Sequence, residues 1–138
     1  MKIYELEKIL EKVWAKETSI EPEKWTKENP SLGQCVPTSL IVNDYIGGEI
    51  VWALAKLPDG QEISHYFNKI NGNEIDLTRK QFPAGTQIAE GKERKKNYQN
   101  TRDYLMSNED VVNRYLRLNQ NIGAYGNLVL KGEQNGNY

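Results

Sequence analysis

Cysteine and histidine are nearly absent from this sequence, which holds one of each in 138 residues, Cys35 and His65. A lone cysteine excludes an internal disulfide, and it points to a reducing compartment, with the cytoplasm as the expected setting. One thiol and one imidazole also fall short of the convergent ligands of a structural zinc site, so no metal and no cofactor is expected. An excess of charge is missing too: 18 Lys and Arg face 19 Asp and Glu, a formal net charge of -1. No global field therefore draws the chain to nucleic acid or to an anionic membrane. Long apolar runs are lacking, so no bilayer span is expected. The segment from Met1 to Trp14 carries Lys and Glu in every turn and does not read as a secretory signal.

What is present suits one globular unit. Apolar residues make up 38% and charged residues 27%, well clear of the composition of disordered chains. A single domain is expected over residues 1–130, with 131–138 as a polar, flexible tail.

Apolar positions at Ile3, Leu6, Ile9, Leu10, Val13 and Trp14 recur at three- and four-residue steps and predict a helix ending near Lys16. From Glu17 to Gln34 the period breaks, and Pro22, Pro30 and Gly33 punctuate a loop packed by Trp25. A short buried helix is expected from Cys35 to Tyr45, with Pro37 in its first turn and Gly47-Gly48 as its stop. The β-prone run from Ile50 to Leu57 ends at the turn sequence Pro58-Asp59-Gly60. Strands Ile63–Ile70 and Asn73–Leu77 flank Asn71-Gly72, a pair suited to the positive φ angles of a type I′ hairpin turn. The basic cluster Lys92, Arg94, Lys95 and Lys96 reads as a solvated loop. A further helix is expected beyond Ser107, through Val111, Val112, Tyr115, Leu116 and Leu118, and a last strand over Tyr125–Leu130.

The hairpin carries the chemistry. If Ile70 opposes Asn73, then Phe67 opposes Asp76 and His65 opposes Thr78, which puts His65 and Asp76 on one face as diagonal neighbours. Their backbones are then roughly 7 Å apart, a gap that carboxylate and imidazole can close. An aspartate there orients the imidazole and leaves the other ring nitrogen for a thiol. A cysteine at a helix start is the complementary half, because the helix dipole and a nearby imidazolium favour a thiolate. The backbone N–H of Cys35 and the side chain of Gln34 are candidate oxyanion donors, and Trp52 and Phe67 are candidate cleft walls. Each residue also has a plainer use: Cys35 as a small buried hydrophobe, His65 bonded to a carbonyl, Asp76 bonding backbone N–H groups around Thr78 or pairing with Arg79.

Gly33-Gln34-Cys35, Thr38-Ser39-Leu40, Asp44, Gly47-Gly48, Ser64-His65-Tyr66 and Glu74-Ile75-Asp76-Leu77-Thr78 resemble the YunG-like family of bacterial proteins. Gln81-Phe82, Tyr104-Leu105-Met106-Ser107 and Arg114-Tyr115 extend the resemblance over most of the chain. More distantly, the order Cys helix, His strand, Asp strand is similar to the papain-like superfamily, which includes transglutaminase-like enzymes, peptidoglycan-cleaving peptidases and arylamine acetyltransferases. That resemblance implies an α+β fold with a papain-like core, the Cys35 helix packed on an antiparallel sheet and terminal helices covering it. It implies Cys35 as nucleophile, His65 as base and Asp76 as third member, acting on a peptide or a small amide or acyl substrate. No position matches a separate upstream oxyanion glutamine. The expected function is cysteine-dependent acyl transfer. A non-catalytic binding or regulatory domain that keeps the fold is the alternative, and a redox-sensing thiol without a resolving cysteine is a third.

Overall fold

The computed structural model describes the backbone of residues 1–136 and the side chains of residues 1–129. Its elements are α1 (Ile3–Val13), α2 (Cys35–Ile46), β1 (Glu49–Lys56), β2 (Glu62–Ile70), β3 (Asn73–Ile75), β4 (Gln87–Ile88), α3 (Thr101–Met106) and α4 (Glu109–Gly136). The fold is α+β, with an antiparallel sheet in the order β3-β2-β1-β4.

Helix α1 buries Leu6, Leu10 and Val13, as the apolar spacing requires, but it stops three residues before Lys16. Trp14 leaves helical geometry, and Lys16–Thr18 forms a separate 3₁₀ turn. The reason is tertiary: the Trp14 indole donates to Thr38 Oγ1 at 2.8 Å in the core, which holds α1 against α2. Leu6, Leu10, Val13 and Trp14 pack there with Ile41, Val42, Leu118 and Ile122. Each large aliphatic side chain buried in such a cluster contributes about 1.5–3 kcal/mol.

Alternation along β1 and β2 sorts their side chains. Ile50 and Tyr66 pack with Leu40, Leu105 and Val111 of the helices, while Val51, Ala53 and Phe67 form a separate cluster. Asn68 Nδ2 donates to Ser39 O at 3.0 Å, joining the sheet to α2 through a helix carbonyl, whose oxygen can accept a second bond.

The hairpin turn is as the sequence implies: Asn71 and Gly72 have φ of 51° and 81°, and Ile70 opposes Asn73. Strand β3 is shorter than expected, ending at Ile75, because Asp76 turns its carboxylate onto the chain ahead and Arg79–Gln81 form a 3₁₀ turn. The sequence pattern also missed α3, a six-residue helix capped by Asn100 Oδ1, which accepts from Asp103 N at 2.8 Å.

The expected strand over Tyr125–Leu130 does not exist. Helix α4 carries the backbone through these residues as far as Gly136, because Ile122 and Tyr125 continue the apolar stripe of Val111 and Leu118 on the helix face packed against the core. The same helix enters the segment expected as a tail, of which residues 137 and 138 lie outside the described residues. Among the described residues no helix is long and apolar enough to cross a membrane.

Candidate functional site

The segment between α1 and α2 delivers Cys35. Gly33, at φ 71°, approaches so closely that a Cβ there would lie 2.3 Å from Ser19 Oγ, so only glycine suits the turn. Gln34 follows as the residue before the helix and is fully buried. Thr38 is the first residue of α2 whose N–H bonds back, to Gln34 O at 3.0 Å. The N–H groups of Cys35 and Val36 therefore have no backbone partner among the described residues and surround the thiol with positive ends of dipoles. Cys35 itself is half-buried, and its side chain is free.

Strand β2 supplies His65, which is completely buried. Its Nε2 lies 2.7 Å from Asp76 Oδ2. A carboxylate only accepts, so Nε2 carries the proton in that bond. The other carboxylate oxygen of Asp76 accepts from Thr78 N at 3.2 Å. Asp76 thus serves both uses read from the sequence, and the turn to Thr78 is what aims it at the ring. Arg79 is not its partner: the guanidinium donates instead to Thr86 O at 2.9 Å.

The imidazole is held on two further sides. Phe67 stacks on it at 5.5 Å between centroids and Phe82 meets it edge-on at 4.9 Å. Nδ1 is buried and without a hydrogen-bond partner. Burial by itself lowers the affinity of His65 for a proton. The hydrogen bond to Asp76, the proximity of the Cys35 thiol and the charges of both outweigh it, and His65 is pushed up to about 9.

Cys35 and His65 line one cleft of about 530 Å³ together with Gly33, Tyr66, Gln81 and Arg114. That volume suits a small ligand or a few residues of peptide. Burial pushes the Tyr66 hydroxyl up, opposed by the charge of Arg94. Three side-chain nitrogens among the described residues are buried with no hydrogen-bond partner: His65 Nδ1, Gln81 Nε2 and Arg114 Nη1. All three residues line this cleft. A buried polar atom left unsatisfied costs about 1–3 kcal/mol, and the three stand together in this cleft.

A family profile described as YunG protein matches residues 2–126. The chain belongs to the YunG family. A YunG-family relative from Bacillus subtilis (strain 168), whose printed name is "Uncharacterized protein YunG", is 40% identical over 76 residues, 55% of this chain and 59% of that protein. The matched part therefore spans about three fifths of the relative's length. No solved structure matches.

For this YunG-family chain, the structure brings Cys35, His65 and Asp76 together and leaves three other expected residues out of the cleft. Gln34, the expected oxyanion donor, has its amide committed elsewhere: Oε1 accepts from Thr18 Oγ1 at 2.7 Å and Nε2 donates to Ala15 O at 2.9 Å. It builds the loop that presents Cys35. Trp52 does not line the cleft: its indole donates to Ser64 Oγ and its ring is covered by Arg94 at 4.5 Å. Phe67 is 3% exposed and supports the imidazole instead of a ligand.

Gln81 and Arg114 are the residues that sequence reasoning missed. Both stand within motifs that carry the family resemblance, yet no local pattern ties either to Cys35, from which they are 46 (81 − 35) and 79 (114 − 35) residues away in the chain. Gln81 is fixed by Gly33 N, which donates to its Oε1 at 3.2 Å and so points the amide nitrogen the other way. Among the described residues no three His, Cys, Asp or Glu side chains converge as a metal-binding group.

Proposed function

We propose that this chain is a cysteine-dependent acyl-transfer enzyme with a papain-like core, acting on an amide, isopeptide or thioester bond. The observation that carries the reading is the buried His65, tied through Nε2 to Asp76 and lining one cleft with Cys35 while its Nδ1 has no hydrogen-bond partner. Order along the chain supports it too: a helix starting at cysteine, a strand carrying histidine, and an aspartate beyond the next strand.

In this scheme the thiol proton already rests on His65, which holds it up to about 9 as a thiolate–imidazolium pair, and the thiolate forms a bond to the substrate carbonyl carbon as the carbonyl π electrons move onto oxygen. The resulting oxyanion is held by the Cys35 N–H and by Gln81 Nε2, in the place that the sequence suggested for Gln34. Imidazolium returns the proton to the leaving nitrogen or sulfur as the bond to carbon breaks, leaving a thioester on Cys35. Water or an acceptor amine then attacks the thioester, loses its proton to His65, and frees the thiolate. Asp76 keeps the ring oriented and stabilises its charged form throughout.

The test is the alkylation rate of Cys35 against pH in the unmodified protein and in His65→Ala. A working pair gives reaction that stays fast below pH 7 and is slowed by the substitution. A rate matching a free peptide thiol, or no reaction, overturns the enzyme and leaves a binding domain. A screen of reactive acyl substrates read as a mass shift on Cys35 then identifies the acyl group accepted.

A further inference from the structure

The guanidinium of Arg114 is an unusual thing to find under the wall of this cleft. Arg114 is 6% exposed, and its Nε is paired with Asp110 Oδ2 at 2.9 Å, a carboxylate that is itself largely exposed. The pairing satisfies one edge of the guanidinium. Nη1 remains buried without a partner, and Arg114 lines the same cleft as Cys35 and His65. A fork of N–H donors with one edge spare is the arrangement that receives a carboxylate, and in a partly dry site the interaction is stronger than on the surface. The other charged residue lining the cleft away from the thiol and imidazole is Glu21, which pairs with Lys24 at 3.8 Å near the protein surface.

Building on the acyl-transfer reading, we infer that the substrate of the Cys35 cleft bears a free carboxylate, which Arg114 Nη1 binds while the reacting carbonyl lies against Cys35. The substrate class is then a small acidic amide or acyl compound, such as the end of a short peptide carrying its carboxylate, and a neutral amide of equal size is a poor ligand. Gln81 lines the same cleft, and its Nε2 keeps the role given above, holding the oxygen of the reacting carbonyl. Arg114 completes its hydrogen bonding only when that ligand is present, which accounts for a buried donor that the protein alone leaves unpaired.

Cys35 is the sole thiol, so its modification reports on this cleft alone. Iodoacetate and iodoacetamide alkylate the same sulfur and differ in one carrying a carboxylate and the other an amide. Their rate ratio, normalised to the ratio for a short peptide thiol, cancels the degree of thiol ionisation and reads the local preference for an anion. The expected ratio is raised by about tenfold in the unmodified protein, the gain of one charge-assisted pair. It falls to the peptide value in Arg114→Gln and is partly retained in Arg114→Lys. Glutarate is expected to protect the unmodified protein against both reagents, and glutaramide is not. Should Arg114→Gln fail to fold, the Lys variant and the protection experiment carry the decision. A normalised ratio near one in the unmodified protein, a raised ratio that persists in Arg114→Gln and so belongs to the His65 imidazolium, or equal protection by the acid and the diamide, overturns the inference. Failure of the acyl-transfer reading looks different: both reagents react slowly with the pH dependence of a peptide thiol, whatever their ratio.

Discussion

His65 and Asp76 are joined at 2.7 Å through Nε2 and Oδ2 although Asp76 stands one residue beyond the end of β3. The bond is made by a turn and not by a ladder, since Thr78 N holds the other carboxylate oxygen. The contact therefore depends on the geometry of three consecutive residues, and a change at any of them reaches the imidazole.

Asp76→Asn removes the charge and the strongest acceptor facing His65, leaving burial to dominate. The titration midpoint of the only histidine is expected to fall from about 9 by at least about 2 units, because burial disfavours the imidazolium once its counter-charge is gone. Histidine ring proton shifts followed by NMR give the midpoint directly. A midpoint unmoved by the substitution assigns the holding of the proton to Cys35 instead.

Stability should decline with alkalinity in a window set by the same group. His65 takes up its proton more readily folded, near 9, than unfolded, near the ordinary 6.5. Its stabilising contribution is therefore complete below pH 6.5 and is lost as pH rises through 9. The loss is expected to be at most about 3 kcal/mol, with coupling to Cys35 reducing it. Urea unfolding at pH 6 and pH 9.5 measures it, and His65→Gln should show a flatter dependence. A steeper dependence in that variant would sink the assignment.

Gly33→Ala is expected to destabilise the protein by about 2 kcal/mol or more, combining a positive φ with the contact to Ser19 Oγ. Because Gly33 N also holds Gln81, Cys35 alkylation should change along with the unfolding midpoint. A midpoint within 1 °C, or so, of the parent contradicts the close approach.

Gly91→Ala places a methyl group 2.4 Å from Val51 Cγ2 and 3.0 Å from the ring of Phe67, which stacks on His65. Overpacking of this kind costs about 1–3 kcal/mol. The histidine NMR resonances should shift although residue 91 does not touch the ring, and unchanged resonances would show that Phe67 does not transmit the displacement.

Trp14→Phe keeps most of the apolar volume but leaves Thr38 Oγ1 without its indole donor. The expected cost is about 1–2 kcal/mol, read by chemical denaturation. Trp14→Phe combined with Thr38→Val should recover part of it, since the pair is then removed together.

The residues of α1, α2 and the Asn71-Gly72 hairpin were legible because their signals are local: apolar spacing, a glycine stop after Ile46, and a turn that requires two positive φ angles. The hairpin register pointed to His65 and Asp76 as neighbours, but the ladder ends at Asn68 opposite Ile75, so the expected pairing of Phe67 with Asp76 and His65 with Thr78 is not formed and the turn at Thr78 makes the approach. The C-terminal stretch misled because Tyr125 to Leu130 has β-prone composition, whereas packing on the helical core continues α4 through it.

Sequence by itself determined where thiol, imidazole and carboxylate sit along the chain and which hairpin turn brings two of them near each other, since turns and alternation act over a few residues. Only the tertiary structure decided that Gln34 belongs to its loop while Gln81 and Arg114 reach the cleft. The physical reason is that an amide or a guanidinium takes its role from the partner it finds, and those partners come from elements distant in sequence whose meeting is set by core packing.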